Sequence, residues 1–213
     1  MHYKKILSAL DYDVSNVVGC LISHEHKDHS KSIEKLNEYG IDIYCSTGTM
    51  EGIYEPQGIC FVPYIVNHIR AGKLVKIGNF KVLPFNVHHD AKEPLGFLIN
   101  HKEIGNLLFL TDTYYCDYNF KSLNHILVEC NYYNEYLDNN NLTLRNRIVT
   151  SHFELNNVID FIKNNDLNNV KNILLLHISE KNADEALFKE LIEKNIGLPV
   201  QIAKEGLVLD LNI

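Results

Sequence analysis

The chain has 213 residues, 46% of them hydrophobic, and a formal net charge of −7. This length and apolar content predict one globular domain over residues 1–213. No apolar run has the length of a membrane span or a signal peptide, so we expect a cytoplasmic protein with no membrane partner. The acidic balance argues against a broad, non-specific electrostatic footprint on nucleic acid.

The first half of the chain shows the apolar spacing of helices, buried strands and antiparallel hairpins. In chain order, the predicted elements are a helix over His2–Leu10, a strand over Val17–Ile22, a helix over Ser30–Tyr39, a strand over Ile41–Cys45, a hairpin of Lys73–Ile77 with Asn79–Val87, and a strand pair of Gly96–Asn100 with Ile104–Leu110. Ser30 is the expected N-cap of the second helix, and Gly40 follows its end.

The second half mixes strands with helices. The predicted elements are strands over Ile126–Glu129 and Asn172–Leu176, helices over Leu155–Asn164 and Ala183–Asn195, and closing strands over Val200–Ala203 and Gly206–Leu211. Two sheets packed face to face with helices outside would accommodate this order of elements. The predicted fold class is therefore α/β (α+β), in a layered sandwich.

The segment Ser23–His29 carries an unusual density of metal-binding side chains. Three histidines and an aspartate fall within six residues, directly after the apolar run that ends at Ile22. Imidazole and carboxylate groups are the ligands of zinc and other first-row divalent metals. Four such groups exceed what one open catalytic metal takes from local residues, so the pattern indicates two metals. The alternative is a polar, histidine-rich surface loop.

The pattern H-x-H-x-D-H in this segment resembles the signature of the metallo-β-lactamase superfamily. The resemblance implies the αββα sandwich of that family. It also implies that His24 and His26 hold one metal, while Asp28 and His29 hold the second.

The resemblance implies three further ligands at later strand ends, and suitable residues follow in order. They are His89, Asp112 as the carboxylate that bridges both metals, and His177. Functional loops of α/β sheets lie at such strand ends. Neighbouring His88 points to the opposite face of its strand if His89 is the ligand. An exchange of roles between His152 and His177 is the rival assignment.

Longer motifs are similar to those of the YycJ (WalJ) branch of the superfamily. They include His89–Phe97, Thr111–Thr113, Val128–Asn131, Ser151–Phe153 and His177–Asn182. This resemblance implies a nucleic-acid substrate, DNA, cleaved from 5′ to 3′. In that family a β-rich segment precedes the first metal loop, which here starts at residue 24. We therefore expect the first N-terminal strands to be lacking, and an uncovered sheet edge would favour a homodimer.

The chemistry that the resemblance implies uses two divalent ions per chain, roughly 3.5–4 Å apart, with a metal-bound hydroxide as the nucleophile. Zinc is the expected metal because imidazole dominates the ligands, and manganese and iron are alternatives. Asp112 would fix the metal separation and Asp28 would orient the hydroxide. His152 is the candidate proton or hydrogen-bond donor to the leaving or non-bridging oxygen.

Other polar and aromatic residues flank these motifs, and most of them have more than one interpretation. Arg145 and Arg147 are candidate phosphate contacts. Ser179 and Asn182 contact phosphate or cap a helix. Glu129 and Asn131 contact substrate or support the ligands, or they are buried structural residues. The tyrosines beside the motifs stack on a base or pack in the core; they are Tyr114, Tyr115, Tyr132 and Tyr133.

Three hypotheses for function follow from the sequence. The leading one is a dinuclear phosphodiesterase acting as a 5′-3′ DNA exonuclease. The second is a hydrolase of a small ester, thioester, lactone or cyclic nucleotide, which agrees better with the acidic charge. The third is a truncated, non-catalytic remnant, and the complete ligand set argues against it.

Overall fold

The structure is a computed structural model that describes residues 2–55, 66–138 and 140–213. The chain forms two compact units, Met1–Asn86 with Ala91–Leu95 and Val87–Asp90 with Gly96–Ile213. The described helices are all too short or too polar to cross a membrane. Each unit is built around its own parallel strands.

The first unit contains a small parallel sheet, a hairpin and short helices. Its elements are α1 Tyr3–Ala9, β1 Cys20–Leu21, α2 Lys27–Ser30, α3 Ile33–Glu38, β2 Ile43–Cys45, α4 Thr47–Tyr54, β3 Val66–His68, β4 Val75–Ile77 and β5 Phe80–Asn86. Strands β1, β2 and β3 pair in parallel, and β4 pairs with β5 in antiparallel register. The prediction of antiparallel strands in this half is therefore wrong for β1–β3.

The core of the first unit forms where α3 and α4 cover the parallel strands. Ile22, Ile33, Ile43 and Met50 are buried together in one apolar cluster. Because these residues come from separate elements, their burial fixes the chain on both sides of the histidine-rich segment.

The predicted helix over Ser30–Tyr39 corresponds to α3, Ile33–Glu38, and a separate short helix, α2, ends at Ser30. Ser30 closes α2, and its hydroxyl donates to the carbonyl oxygens of Glu25 and His26, at 2.7 and 3.0 Å. Its hydroxyl therefore does not cap the second helix, α3, which begins at Ile33. Gly40, with φ of +81°, follows the end of α3 as predicted.

The second unit is a mostly parallel sheet with helices. Its elements are β6 Leu95–His101, β7 Gly105–Leu110, β8 His125–Glu129, a 3-10 turn at Asn134–Tyr136, α5 Leu142–Ser151, α6 Leu155–Lys163, β9 Asn172–Leu176, α7 Glu185–Ile196 and β10 Gln201–Ile202. The first residue of β6, Leu95, is assigned to the first unit. The strand order is β10-β9-β8-β7-β6, and only the β6–β7 pair is antiparallel among these described strands.

The parallel strands β7, β8 and β9 bring three chain segments to one sheet edge. Leu108 pairs with Ile126, and Ile126 pairs with Ile173, so the strands run in register. All three residues are buried. The residues that follow the carboxyl ends of these strands therefore converge, as they do at the ligand sites of open parallel sheets.

The strand predicted over Gly206–Leu211 is absent from the described residues. This segment makes a turn in which the amide of Leu207 donates to the carbonyl of Lys204. Val208 is exposed, so its apolar character marks no core position. Apolar spacing without burial misled the prediction here.

Candidate metal centre

The histidine-rich segment of the first unit follows strand β1 directly. His24 is buried, and its Nδ1 lies 3.1 Å from the Ser23 hydroxyl. The His24 ring centroid lies 4.2 Å from that of His29 and 4.8 Å from that of His26. The structure therefore gathers three imidazoles of this segment into one cluster.

The end of this segment forms helix α2, which contains Asp28 and His29. The amide of His29 donates to the carbonyl of His26, at 2.9 Å. Nε2 of His29 lies 3.3 Å from Oδ2 of Asp28, whose side chain is largely exposed. Asp28 is thus exposed and His29 half-buried, whereas His24 is buried.

In the second unit, a tight cluster of donor atoms forms at the carboxyl ends of β7, β8 and β9. Asp112 follows β7, Glu129 ends β8 and His177 follows β9, while His152 caps the end of α5. One donor atom from each of these four residues lies within 4.8 Å of the others. The structure thus brings His152 into the group, although it does not follow a strand.

Asp112 and His177 share an unusual backbone conformation. Their φ angles are +40° and +51°, in the left-handed region that side chains other than glycine seldom adopt. Such residues cost about 1–3 kcal/mol each and persist where the surroundings hold them. Here the Asn131 amide donates to the His177 carbonyl oxygen at 2.8 Å, and the Thr111 hydroxyl donates to Asp112 Oδ1 at 2.6 Å.

The buried carboxylate of Glu129 holds the two histidines of the second-unit cluster. Its side chain is 0% exposed, and its Oε1 lies 2.7 Å from Nδ1 of His152 and 2.9 Å from Nδ1 of His177. Its Oε2 accepts the backbone amides of Thr113 and Phe153, at 2.9 and 3.2 Å. Both oxygens are satisfied inside the protein, which favours the supporting role over direct substrate contact.

The acidic neighbours of His177 change its ionisation. Burial lowers its pKa, but the hydrogen bonds to Asp112 and Glu129 outweigh burial and raise the pKa to about 10. The Nδ1 of His177 lies 3.1 Å from Asp112 Oδ1. Without a metal, this imidazole therefore carries a proton at neutral pH.

His88 and His89 point to different surroundings. His89 is 1% exposed, and its Nδ1 donates to the carbonyl oxygen of Ser151 at 2.8 Å. His88 is partly exposed, and its Nε2 lies 2.6 Å from Oδ2 of Asp117. Burial lowers the pKa of His89, so its imidazole is held neutral, as a metal ligand must be.

A carbonyl oxygen can only accept, so the Nδ1 of His89 must carry the hydrogen. Its Nε2 then carries the lone pair of the neutral imidazole, and it lies 3.3 Å from Asp90 Oδ1 and 3.7 Å from Asp112 Oδ2. This arrangement, in which one ring nitrogen donates to the protein and the other presents a lone pair, is typical of metal-binding histidines.

The two arginines of α5 differ in their surroundings. The guanidinium of Arg147 is 68% exposed, and its Nε lies 3.4 Å from Asp90 Oδ2. Arg145 is half-buried, and its Nε makes no hydrogen bond to the described residues. Arg147 is therefore connected to the His89 segment through Asp90.

The candidate phosphate contacts after β9 form a local turn. The Ser179 hydroxyl oxygen accepts the amide of Asn182 at 3.2 Å, while α7 is capped by Asp184. The structure therefore does not support the helix-cap interpretation of Ser179 and Asn182. Asn131 is buried and supports His177.

The four flanking tyrosines divide between core and surface. Tyr132 is buried and Tyr133 is half-buried, as core packing predicts. Tyr114 and Tyr115 are exposed, in the loop after Asp112. These two remain available for contact with a ligand.

Sequence reasoning missed the groups that hold the candidate ligands. The carbonyl of Ser151 and the amides of Thr113 and Phe153 are backbone groups, which every residue type carries, so no letter of the sequence marks them. Asp117, which binds His88, was also missed, and its spacing from His88 gives no signal.

The donor chemistry of both clusters agrees with divalent metal binding. Each cluster combines imidazole with carboxylate, the set that zinc, manganese and iron accept. Hydrogen bonds from Nδ1 to the protein also orient His89, His152 and His177.

The sequence matches one protein-family profile and is similar to a known bacterial protein. The profile of the beta-lactamase superfamily domain matches residues 5–178. Exodeoxyribonuclease YycJ of Bacillus anthracis is 31% identical over 107 residues, which cover 49% of this chain and 39% of that protein. The chain therefore aligns with less than half of that relative.

Solved structures show the same fold. The metallo-β-lactamase fold protein YhfI of Bacillus subtilis superposes with a TM-score of 0.67 at 17% identity, covering 89% of this chain and 76% of that one. A diphosphatase of the PhnP family superposes with a TM-score of 0.61 at 14% identity, covering 88% and 68%. The chain has the metallo-β-lactamase fold and belongs to the metallo-β-lactamase superfamily.

Proposed function

We propose that this protein is a metal-dependent phosphodiesterase that removes nucleotides from a 5′ end of DNA. The observation that carries the proposal is the buried Glu129 carboxylate, which holds His152 and His177 beside Asp112. The similarity to an exodeoxyribonuclease supports DNA as the substrate.

The metal ligands are assigned from the family motif together with the chemistry of each unit. They are His24, His26, Asp28 and His29 of the first unit, and His89, Asp112 and His177 of the second. Two divalent ions per chain follow from this number of ligands, with zinc expected and manganese or iron as alternatives. When bound, such ions activate water and stabilise negative charge on the attacked phosphate.

His152 has the surroundings of a general acid. Its Nδ1 donates to Glu129, so its Nε2 is free to carry a proton and donate it to the leaving oxygen. The Glu129 carboxylate stabilises the positively charged imidazolium, as the buried aspartate does in a catalytic triad. Asp28, at an accessible turn, would orient the attacking water.

Polar groups around the ligands provide phosphate contacts. Arg147 has an exposed side chain five residues before His152, and Arg145 lies two residues before Arg147. Ser179 and Asn182 offer a hydroxyl and an amide just after His177. These groups would hold the DNA backbone, while Glu129 and Asn131 position histidines.

The test is cleavage of duplex DNA labelled at one 5′ end, with zinc or manganese added. The chain should release labelled nucleotides, and Asp112→Asn should not. The matched control is Asp42→Asn, which changes an exposed aspartate and should retain activity. Retained cleavage in Asp112→Asn, or no cleavage by a metal-loaded protein, would contradict the proposal.

A second candidate function is hydrolysis of a small ester, thioester, lactone or cyclic nucleotide. The formal net charge of −7 favours it, because extended DNA contacts usually require a basic surface. Turnover of such a substrate by a protein that leaves DNA intact would select this function.

A further inference from the structure

The second unit contains a cavity that the metal centre does not use. It has a volume of about 210 Å³ and lies between the loop at Tyr115–Asn119 and helix α6. Pockets that bind drug-sized ligands are larger, from roughly 300 Å³ upwards. The size of this cavity is appropriate for a single ring system.

The floor of the cavity is apolar and aromatic. Phe153 and Phe161 are buried there with ring centroids 5.8 Å apart, and Cys116 lies beside them. Tyr115, which is 54% exposed, lines the cavity from the loop. Because the two phenylalanines are almost completely buried, the exposed ring of Tyr115 is the surface on which a flat ring would stack.

Polar side chains of α6 line the cavity at helical spacing. Asn157, Asp160 and Asn164 occupy positions i, i+3 and i+7, which share one face of the helix with Phe161. Within the described part of the chain, the side chains of these three residues make no hydrogen bond. They are exposed, so their hydrogen-bonding groups are available to a ligand.

The charge of the lining selects the chemistry of that ligand. Asp117 and Asp160 contribute carboxylates, and the described lining residues include no lysine or arginine. A phosphate group would be repelled here. A neutral, flat ring with N–H donors would stack on Tyr115 and donate to the carboxylate of Asp160.

The cavity is joined to the candidate metal centre through the backbone. Thr113 and Phe153 donate their amides to the same oxygen of Glu129. One wall of the cavity begins two residues after Thr113, and Phe153 forms part of its floor directly after His152. The lining of the cavity and the metal-centre cluster therefore share two backbone segments.

We propose that this cavity binds one unpaired, amino-bearing nucleobase of the nucleic acid. The proposal rests on the phosphodiesterase function for the choice of a nucleic-acid ligand, but base binding itself does not depend on turnover. Cytosine and adenine carry an exocyclic amino group that donates two hydrogens to the Asp160 carboxylate, whereas uracil and thymine carry a carbonyl oxygen at the matching position and donate only from their ring N–H.

The test compares cytidine, which carries an amino group at position 4 of its ring, with uridine, which carries a carbonyl oxygen there. Two-dimensional amide NMR of the metal-free protein would follow Asn157 and Asn164 during each titration. Cytidine should bind about tenfold more tightly than uridine, the effect of one added hydrogen bond to a carboxylate. Asp160→Asn should reduce this ratio to about one, because an amide also pairs with a carbonyl.

A blocking variant and its control test the location. Asn157→Tyr places a ring in the cavity from an exposed helix position, and cytidine binding should be lost. Asn168→Tyr makes the same substitution at an exposed loop residue outside the lining, and binding should be unchanged.

The outcomes separate this proposal from the phosphodiesterase function. DNA cleavage without nucleoside-induced shifts at α6 would overturn the base site and leave the enzyme assignment intact. Cytidine binding at α6 without DNA cleavage would support the base site while the assigned reaction fails. Equal binding of cytidine and uridine, or shifts caused by calcium or spermidine but not by cytidine, would overturn the proposal.

Discussion

Glu129 shows how one buried carboxylate can set the chemistry of two histidines. A charge that is fully removed from water is costly unless hydrogen bonds surround it, and here four donors do so. The same bonds fix which nitrogen of His152 and His177 carries hydrogen. Orientation of the imidazoles and stability of the carboxylate are therefore coupled.

We expect Glu129→Gln to lower DNA cleavage by about 10- to 100-fold, the usual effect of losing a group that orients metal ligands. Glutamine has one acceptor oxygen, so its amide nitrogen would face N–H donors and break part of the network. The measurement is the cleavage rate together with metal content. Glu135→Gln, at an exposed position, is the matched control. Activity within twofold of the parent would contradict the role of Glu129.

His177 should make the metal-free protein less stable at alkaline pH. Hydrogen bonds to Asp112 and Glu129 outweigh burial and raise its folded pKa to about 10, above the value of about 6.5 for an unfolded histidine. The folded state therefore binds the proton more tightly. This stabilisation is complete below about pH 6.5 and is lost as the pH rises through about 10.

Urea denaturation in the presence of a chelator, at pH 6, 8 and 10, would measure this effect. The denaturation midpoint should fall across that range, and His177→Gln should flatten the fall. The same slope in the parent and in His177→Gln would show that other groups dominate.

At the level of residues, the sequence predicted where ligands lie but not how they are held. Asp112 and His177 each follow an apolar strand, which is a local pattern that can be read directly. Their positive φ angles, and the bonds from Glu129 and Asn131, depend on contacts between strands far apart in sequence. The assignment of all seven candidate metal ligands stays a prediction; they are His24, His26, Asp28, His29, His89, Asp112 and His177.

Among the elements, helix α4 was missed and β9 was predicted at its observed bounds. In strand β9, Asn172–Leu176, the four residues after the asparagine are all apolar, which is a strong local signal. Helix α4 contains Gly48 and Gly52, which are poor helix formers. Its first turn is supported by Glu93, whose Oε2 accepts the Gly48 amide at 2.7 Å from 45 residues away. Such a distant cap cannot be read from local sequence.

The first turn of α4 predicts an unusual response to Gly48→Ala. Alanine normally gains about 1 kcal/mol over glycine in a helix. Here a Cβ at position 48 would lie 2.5 Å from the Glu93 Cβ, so the capping glutamate must shift. The overlap costs about 1–3 kcal/mol and the displaced cap about 1 kcal/mol more, so we expect net destabilisation by about 1–3 kcal/mol after the gain from alanine is subtracted.

Urea unfolding of Gly48→Ala against the parent would test this expectation. Glu51→Ala, an exposed position in the same helix, should change stability by no more than about 0.5 kcal/mol. A stabilising Gly48→Ala would show that Glu93 moves aside at little cost.

Across the whole chain, the net negative charge and the acidic candidate ligands both oppose the binding of DNA. Twenty-seven acidic side chains against twenty basic ones repel a polyanion. The candidate ligands add local carboxylates, which two divalent ions would neutralise with about four positive charges. The proposed DNA binding should therefore depend on metal more strongly than on the surface arginines.

Removal of metal should affect both stability and DNA binding. We expect the protein to carry about two divalent ions, and a chelator should lower the free energy of unfolding by about 4 kcal/mol if the free metal was present at 1,000 times its Kd. DNA affinity should fall in the same samples, and added zinc, manganese or iron should restore both properties. Asp112→Asn should reduce the metal content, measured by elemental analysis, whereas Asp42→Asn should not. A chelated protein that keeps its stability and its DNA affinity would show that these histidines and carboxylates serve the fold without a metal.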